Sequence, residues 1–402
     1  MTEKLLAEFM SGRSYDVRRT GNGRWLDQKC APDEVSFVSE CILRHLQDSG
    51  KRVFLSPEIW RSRHAVVHAP EVFGKPPLLQ EAALDEYNKF FRQPMKMLAA
   101  AGVLREAGHD RNAIVFEVVN DDVLSFLARN EWNAYVFLHL YIEKTLRDSG
   151  MWDAFATFLE RQSTDAYFEL KAAFAAFCRS HTPIRTVTET NRIFAKVLNP
   201  LACKYHSRGT LRGRISPFAI TFDMLKYNHV NWRDVRKAKN VARKDALAVA
   251  DLRAEDYFVA KAKNEVRRFN EEYNSGLSEV LGRHSSGEAT HMHHIFPQSS
   301  YTALAAFVEN IIALTPSQHL SLAHPSGHTA KTSPDFQYDC LLSKNETIRK
   351  NVLNGFGPAG FYSFDKFAFA LDVGLETDYF SHLPQNDFTS VRSGIDSHFN
   401  WD

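Results

Sequence analysis

Residues 289–325, ATHMHHIFPQSSYTALAAFVENIIALTPSQHLSLAHP, leave little freedom in how the chain around them can fold. A strand-like run ends in the pair His293-His294, and a loop carries Asn310. The apolar stretch IIALT (311–315) follows, then Thr315-Pro316, which opens a segment bearing His319. Thr is a favoured helix N-cap and Pro suits the first helical position, because its missing N–H is one the first turn cannot use. The order predicted is strand, loop, strand, helix, with imidazoles at the end of the first strand and on the helix.

That order has chemical consequences. Two His side chains from different elements can converge on one divalent cation through their ring nitrogens. A third His adjacent to a ligand points to the other side of the backbone and cannot share the coordination sphere. It can stay neutral near pH 7 and take a proton from water. A cation there would stabilise negative charge on a scissile phosphate and its leaving oxygen.

The HHIFP, ENII and LTPSQH stretches together resemble the HNH, or ββα-metal, nucleases, and the long upstream portion is most similar to HNH-type restriction endonucleases. The resemblance covers about 40 of 402 residues. It implies His293 and His319 as metal ligands, His294 as the general base, and Asn310 as the motif residue that orients the base or braces the loop. It also implies one divalent ion per site, Mg²⁺ first, with Mn²⁺, Ni²⁺ or Zn²⁺ as alternatives. Two departures stand out. No CxxC flanks the motif for a structural zinc, so the larger body must hold the small fold. His324 follows His319 by five residues rather than the four that share a helical face. It stands as a third ligand or phosphate contact only if the helix ends first and the chain is redirected. His291 shares strand parity with His293 and reads as a surface residue or a supporting partner. His328 reads as loop, and Glu309 as an exposed loop acid.

Charge is distributed unevenly, as a polyphosphate partner requires, although a solvated face that binds nothing fits the same excess. Lys+Arg (49) nearly balance Asp+Glu (48), yet residues 203–244 hold 11 basic side chains against 2 acidic ones, and residues 351–402 hold 2 against 7. Each phosphate neutralised releases counterions, so a basic stretch of this kind gives salt-dependent binding. Lys204, Arg208, Arg212, Arg214, Arg233, Arg236, Lys237 and Lys239 are the candidate DNA contacts. Tyr205, Phe218, Tyr227 and Trp232 are interleaved with them. Gly209 and Gly213 in HSRGTLRGRISP offer close backbone approach to phosphates.

Upstream, residues 31–47 read as a helix opened by a capping-type Asp33. Residues 81–101 read as a helix that Pro94 must kink or divide. GVLREAGHDRNAIVFEVV reads as strand, turn around Gly108–Asn112, and a strand alternating through Ile114, Phe116 and Val118. Helix followed by a two-stranded wing is a winged-helix pattern, whose helix offers Lys89, Arg92 and Lys96 to a DNA groove. A purely architectural role fits the same pattern. From 121 to 178 the chain is aromatic-rich and helical, with His139 as a core histidine. The pattern breaks near 181–186, a helix begins near Glu189, and a polar helix over roughly 245–282 leads into the motif.

The expected fold class is α+β and predominantly helical: an N-terminal helical, winged-helix-like region with a C-terminal ββα-metal core. The expected divisions are 1–120, 121–200, 201–345 with the core at 283–328, and an acidic extension over 346–402. No run of 18 apolar residues suits a membrane span. The N-terminus lacks a signal-peptide pattern, and five scattered cysteines suit a reducing compartment, so the expected location is cytoplasmic. The leading expectation is a sequence-specific double-stranded DNA endonuclease of restriction type, acting as a homodimer because two strands need two centres. Alternatives are an endonuclease dependent on modified (methylated) bases and a catalytically inactive DNA-binding protein on the same fold. A zinc peptide hydrolase lacks its HExxH helix.

Overall fold

The computed structural model describes residues 3–76, 81–111, 113–227, 243–324 and 332–399. They are mostly helical, with small antiparallel sheets, an α+β architecture. The chain forms two compact units, Glu3–Ala254 and Glu255–Asp402. The divisions expected at 120/121 and 200/201 fall inside the first unit, and that at 345/346 falls inside helix Pro334–Asn354. Among the described residues, no helix is long and apolar enough to cross a membrane.

In the first unit, helix Pro32–Ser49 is buried along residues 32–42 and packs on helices Asp121–Arg129 and Glu131–Asp148. Helices on both sides of residue 120 therefore share one core. Asp33 is not the cap. Ala31 takes that position, with its N–H donating to Glu34 Oε2 at 3.1 Å, and Asp33 accepts instead from Tyr227 N at 2.9 and 3.0 Å. Helix Glu81–Ala100 is not divided at Pro94; the buried Phe90, Phe91, Met95, Met97 and Leu98 anchor it on both sides of the proline. Its Lys89 pairs with Asp85 at 2.6 Å and Lys96 faces Glu106 at 3.9 Å. The expected hairpin forms from Leu104–Asp110 and Ala113–Val118, with Ile114, Phe116 and Val118 buried, and Val53–Leu55 adds a third strand.

Helices Asp121–Arg129, Glu131–Asp148, Thr164–His181 and Val187–Lys204 each start on a side chain that accepts from the first turn: Asn120, Asn130, Ser163 and Thr186. His139 is buried against Tyr135, and burial holds its imidazole well below the usual range. Strands Arg208–Leu211 and Arg214–Ala219 form a hairpin turning at Arg212 and Gly213, whose φ of 53° and 79° suit a tight turn with both central residues left-handed. Gly209 does not meet phosphates. A Cβ there would lie 2.5 Å from Asn199 Oδ1 and 2.7 Å from Ile220 Cγ1, so the glycine lets the strand pack closely within its own unit.

The second unit contains the described side chains of helix Arg243–Tyr273 from residue 256 onward, which ends earlier than the expected 282. Strands His291–His294 and Ile311–Leu314 pair antiparallel, with His293 opposite Ile312 and His294 opposite Ile311. Helix Phe364–Gly374 packs on the turn Val308–Asn310, helix Pro334–Asn354 on the segment His319–Ala323, and helix Phe388–His398 on Pro334–Asn354. Asn345 Nδ2 donates to Phe388 O at 3.3 Å, and Ser363 N donates to Glu309 Oε1 at 2.9 Å, tying the acidic C-terminal stretch to the same body.

Candidate metal centre

Successive residues on a strand face opposite ways, and the paired strand ends divide His293 from His294 on that principle. On one side, the His293 ring lies 5.3 Å from that of His319 and 5.1 Å from that of His324, and His319 and His324 lie 4.9 Å apart. One nitrogen from each falls within 4.8 Å of the other two. On the other side, His294 Nε2 meets the carbonyl of Ala305 at 2.9 Å. A carbonyl only accepts, so Nε2 carries the proton and Nδ1 keeps its lone pair.

The helix start is built as the sequence indicates. Thr315 Oγ1 accepts from Gln318 N at 3.1 Å, and Gln318 Oε1 accepts from Thr315 N at 3.3 Å, a reciprocal capping box with Pro316 in the first turn. Gln318 is fully buried. It also accepts from Ser278 Oγ at 2.6 Å and donates to Val280 O at 2.9 Å, locking the preceding loop under the helix. After Gln318 the α-helix gives way to a π turn over His319–Ala323. Its i→i+5 pattern resolves the awkward spacing, bringing residues five apart to one side. The helical turn ends at Ala323, as the sequence position of His324 requires, and His324 follows in non-helical backbone (φ −127°, ψ 61°) with its ring beside those of His293 and His319.

Asn310 braces the loop. Its Oδ1 accepts from Phe296 N at 2.8 Å, and its Nδ2 donates to Phe296 O at 3.0 Å and Leu304 O at 3.2 Å. Leu304 precedes Ala305, so Asn310 fixes the backbone whose carbonyl holds His294. It is a positioning residue, with its amide spent on backbone groups.

Burial dominates the electrostatics. His293 is pushed down to about 2 by burial and then by the neighbouring imidazoles and Lys263. His294 falls to about 4 through burial and Lys263, against the opposing pull of the Ala305 carbonyl. His319 falls to about 4 through burial, His324, His291 and Lys263. All three are neutral at pH 7, with lone pairs available. His293 Nε2 and His319 Nδ1 are buried and make no hydrogen bond. Such orphaned acceptors are costly unless something binds them. Three imidazoles in one place, two of them with unsatisfied nitrogens, fit a divalent ion.

Other candidates fall out differently. Glu309 is not an exposed loop acid: it is 1% exposed, its carboxyl is raised by burial, and it accepts from Ser363 N. The His291 ring lies 4.8 Å from His319, so its strand parity does place it beside the cluster. His328, Trp232, Arg233, Arg236, Lys237 and Lys239 lie outside the described residues. Lys204 sits 3.7 Å from Glu143. Arg208, Arg212 and Arg214 are exposed on the first unit's hairpin, with Phe218 exposed on the same hairpin. Sequence reasoning missed Lys263, although it continues the core-facing row Val259, Ala262, Val266 on its helix, and it missed Gln318, although Thr-x-x-Gln spells a capping box. No family model, curated protein or solved structure matches the chain, so the reading of the site rests on its own geometry.

Proposed function

We propose that the chain is a metal-dependent endonuclease of the HNH, or ββα-metal, type that hydrolyses phosphodiester bonds in double-stranded DNA. The observation that carries this is the division of labour across one strand end. His293, His319 and His324 present nitrogens within 4.8 Å of one another, while His294 faces away with Nδ1 free to accept a proton. A bound divalent ion supplies Lewis-acid stabilisation of charge on the phosphate and leaving oxygen. His294 Nδ1 takes a proton from water as the water oxygen bonds to phosphorus and the bond to the leaving oxygen breaks. The Ala305 carbonyl steadies the imidazolium that results, and Asn310 keeps that carbonyl in place.

Three imidazoles suit Zn²⁺ or Ni²⁺ better than Mn²⁺ or Mg²⁺, which prefer oxygen ligands. Those ions are the ones to assay first. The exposed Arg208, Arg212 and Arg214 support a nucleic-acid partner, and recognition of a specific or modified sequence by a homodimer extends the same proposal. The test is plasmid cleavage with each ion, with and without EDTA, on wild type and His294→Ala. Cleavage by wild type alone, abolished by EDTA, supports the reading. Turnover by His294→Ala, or failure of wild type to bind any divalent ion, overturns it. Digesting methylated and unmethylated genomes in parallel separates the two kinds of recognition.

A further inference from the structure

Several arginines of the first unit are spent on carboxylates: Arg18 lies 2.9 Å from Asp16, Arg52 2.7 Å from Asp121 and Arg147 2.8 Å from Glu143. The hairpin of Arg208–Leu211 and Arg214–Ala219 differs. Arg208, Arg212 and Arg214 are exposed, and their guanidiniums make no hydrogen bond or ion pair among the described residues. Phe218, 54% exposed, stands on the same hairpin. The backbone that carries them is held firmly. Thr210 N donates to Asn199 Oδ1 at 2.8 Å, Asn199 Nδ2 donates to Thr210 O at 3.1 Å, and Thr210 Oγ1 lies 2.7 Å from Tyr167 Oη. At the turn, Lys171 Nζ donates to Gly213 O at 2.9 Å. Arg212 takes the first central position there with φ 53°, a left-handed backbone that Asn, Asp or Gly adopts more readily. A long cation kept at a strained tip, with no partner in its own chain, points to a contact outside the chain.

Resting on the double-stranded DNA reading above, we propose that this hairpin is a DNA-reading ribbon. It enters the major groove with Arg212 leading toward the base edges, while Arg208 and Arg214 meet backbone phosphates. The major groove, about 12 Å wide, admits two paired strands, whereas the minor groove, about 6 Å wide, does not. A guanidinium matches the O6 and N7 acceptors that guanine presents in the major groove, so guanine is the base that Arg212 reads. The flanking contacts carry no sequence information and set the salt dependence of binding. Reading thus resides in the first unit, while the imidazole cluster belongs to the second.

The experiment uses the full chain in EDTA, as wild type, Arg212→Asn and the double variant Arg208→Gln/Arg214→Gln. Binding is measured by mobility shift on a duplex amplicon made with guanine or with 7-deazaguanine, which lacks the N7 acceptor. Wild type should prefer the guanine duplex. Arg212→Asn should bind it about tenfold more weakly and lose that preference. Because Asn suits the turn, the thermal midpoint of Arg212→Asn should equal or exceed that of wild type. The double variant should lower the slope of log affinity against log salt by about 2. Wild-type indifference to 7-deazaguanine, unchanged affinity in Arg212→Asn, a lowered midpoint there, or an unchanged salt slope in the double variant overturns the inference. If these binding results hold yet wild type cleaves nothing with any divalent ion, the ribbon stands and the nuclease reading falls. If wild type cleaves plasmid and both variants match it in cleavage and binding, the nuclease reading stands and the ribbon is excluded.

Discussion

In the first unit, Lys29 and Lys75 both donate to Tyr227 Oη and reach Glu86 Oε1 at 3.1 and 2.8 Å, while the Asp33 carboxylate receives the Tyr227 N–H. In the second, three imidazoles face one another, and two of their nitrogens find no hydrogen-bond partner. Both are buried clusters of ionisable side chains, but the first is built from complementary groups and the second from like ones. Complementary groups satisfy each other, so the first cluster serves the fold and asks for nothing further. Like groups leave their lone pairs over, an arrangement that costs stability unless a ligand binds it, which is what supports the proposed metal there.

Substitutions can break this contrast, and the largest effect expected is catalytic. His294→Ala should lower the cleavage rate by about 10²–10⁴-fold while leaving metal binding by titration calorimetry unchanged. Loss of metal binding in that variant would mean the two faces of the strand are not separate. Next, Lys75→Met should cost about 1–3 kcal/mol in urea unfolding, since it removes the buried cation of the cluster and leaves Lys29 alone to hold Glu86 and Tyr227. A neutral outcome would show that the first cluster is not self-supporting.

A smaller effect separates the solitary buried histidine from the clustered ones. His139 has its folded pKa held below the unfolded value near 6.5. Its contribution is therefore present above pH 6.5 and lost as pH falls below it, because the unfolded chain takes up a proton that the folded one refuses. His139→Leu should remove up to about 2 kcal/mol of the stability lost between pH 6.5 and 5, read from urea midpoints with and without EDTA. Dependence of that difference on metal would erase the distinction between the two kinds of histidine. Smallest in energy, His324→Asn should weaken metal binding by at least about tenfold, yet leave the metal-free midpoint close to wild type. A large drop in metal-free stability would place His324 with the structural groups instead.

Much of the site was legible in the chain because its parts are local. The pair His293-His294, the Thr315-Pro316 start and the apolar IIALT run each announce an element within a few residues, and the paired strands and capping box follow. His139 was legible for the same reason, lying in an apolar helical stretch. What stayed hidden depends on partners far along the chain. Asp33 looked like a cap because Tyr227, 194 residues away, could not be seen to claim its carboxylate. Glu309 looked exposed because the backbone of Ser363 that covers it lies 54 residues on. Gly209 suggested phosphate until Asn199 and Ile220 were found against it. Pro94 suggested a break, but buried side chains on either side outweigh one missing hydrogen bond.

The widened turn over His319–Ala323 makes ligand geometry a matter of winding number. Were those five residues to relax into ordinary α-helix, His324 would swing away from His319 by roughly a third of a revolution with every donor atom still present in the chain. A substitution at Leu320 or Ser321 that tightens the coil would thus part the proposed ligands His319 and His324 without removing either.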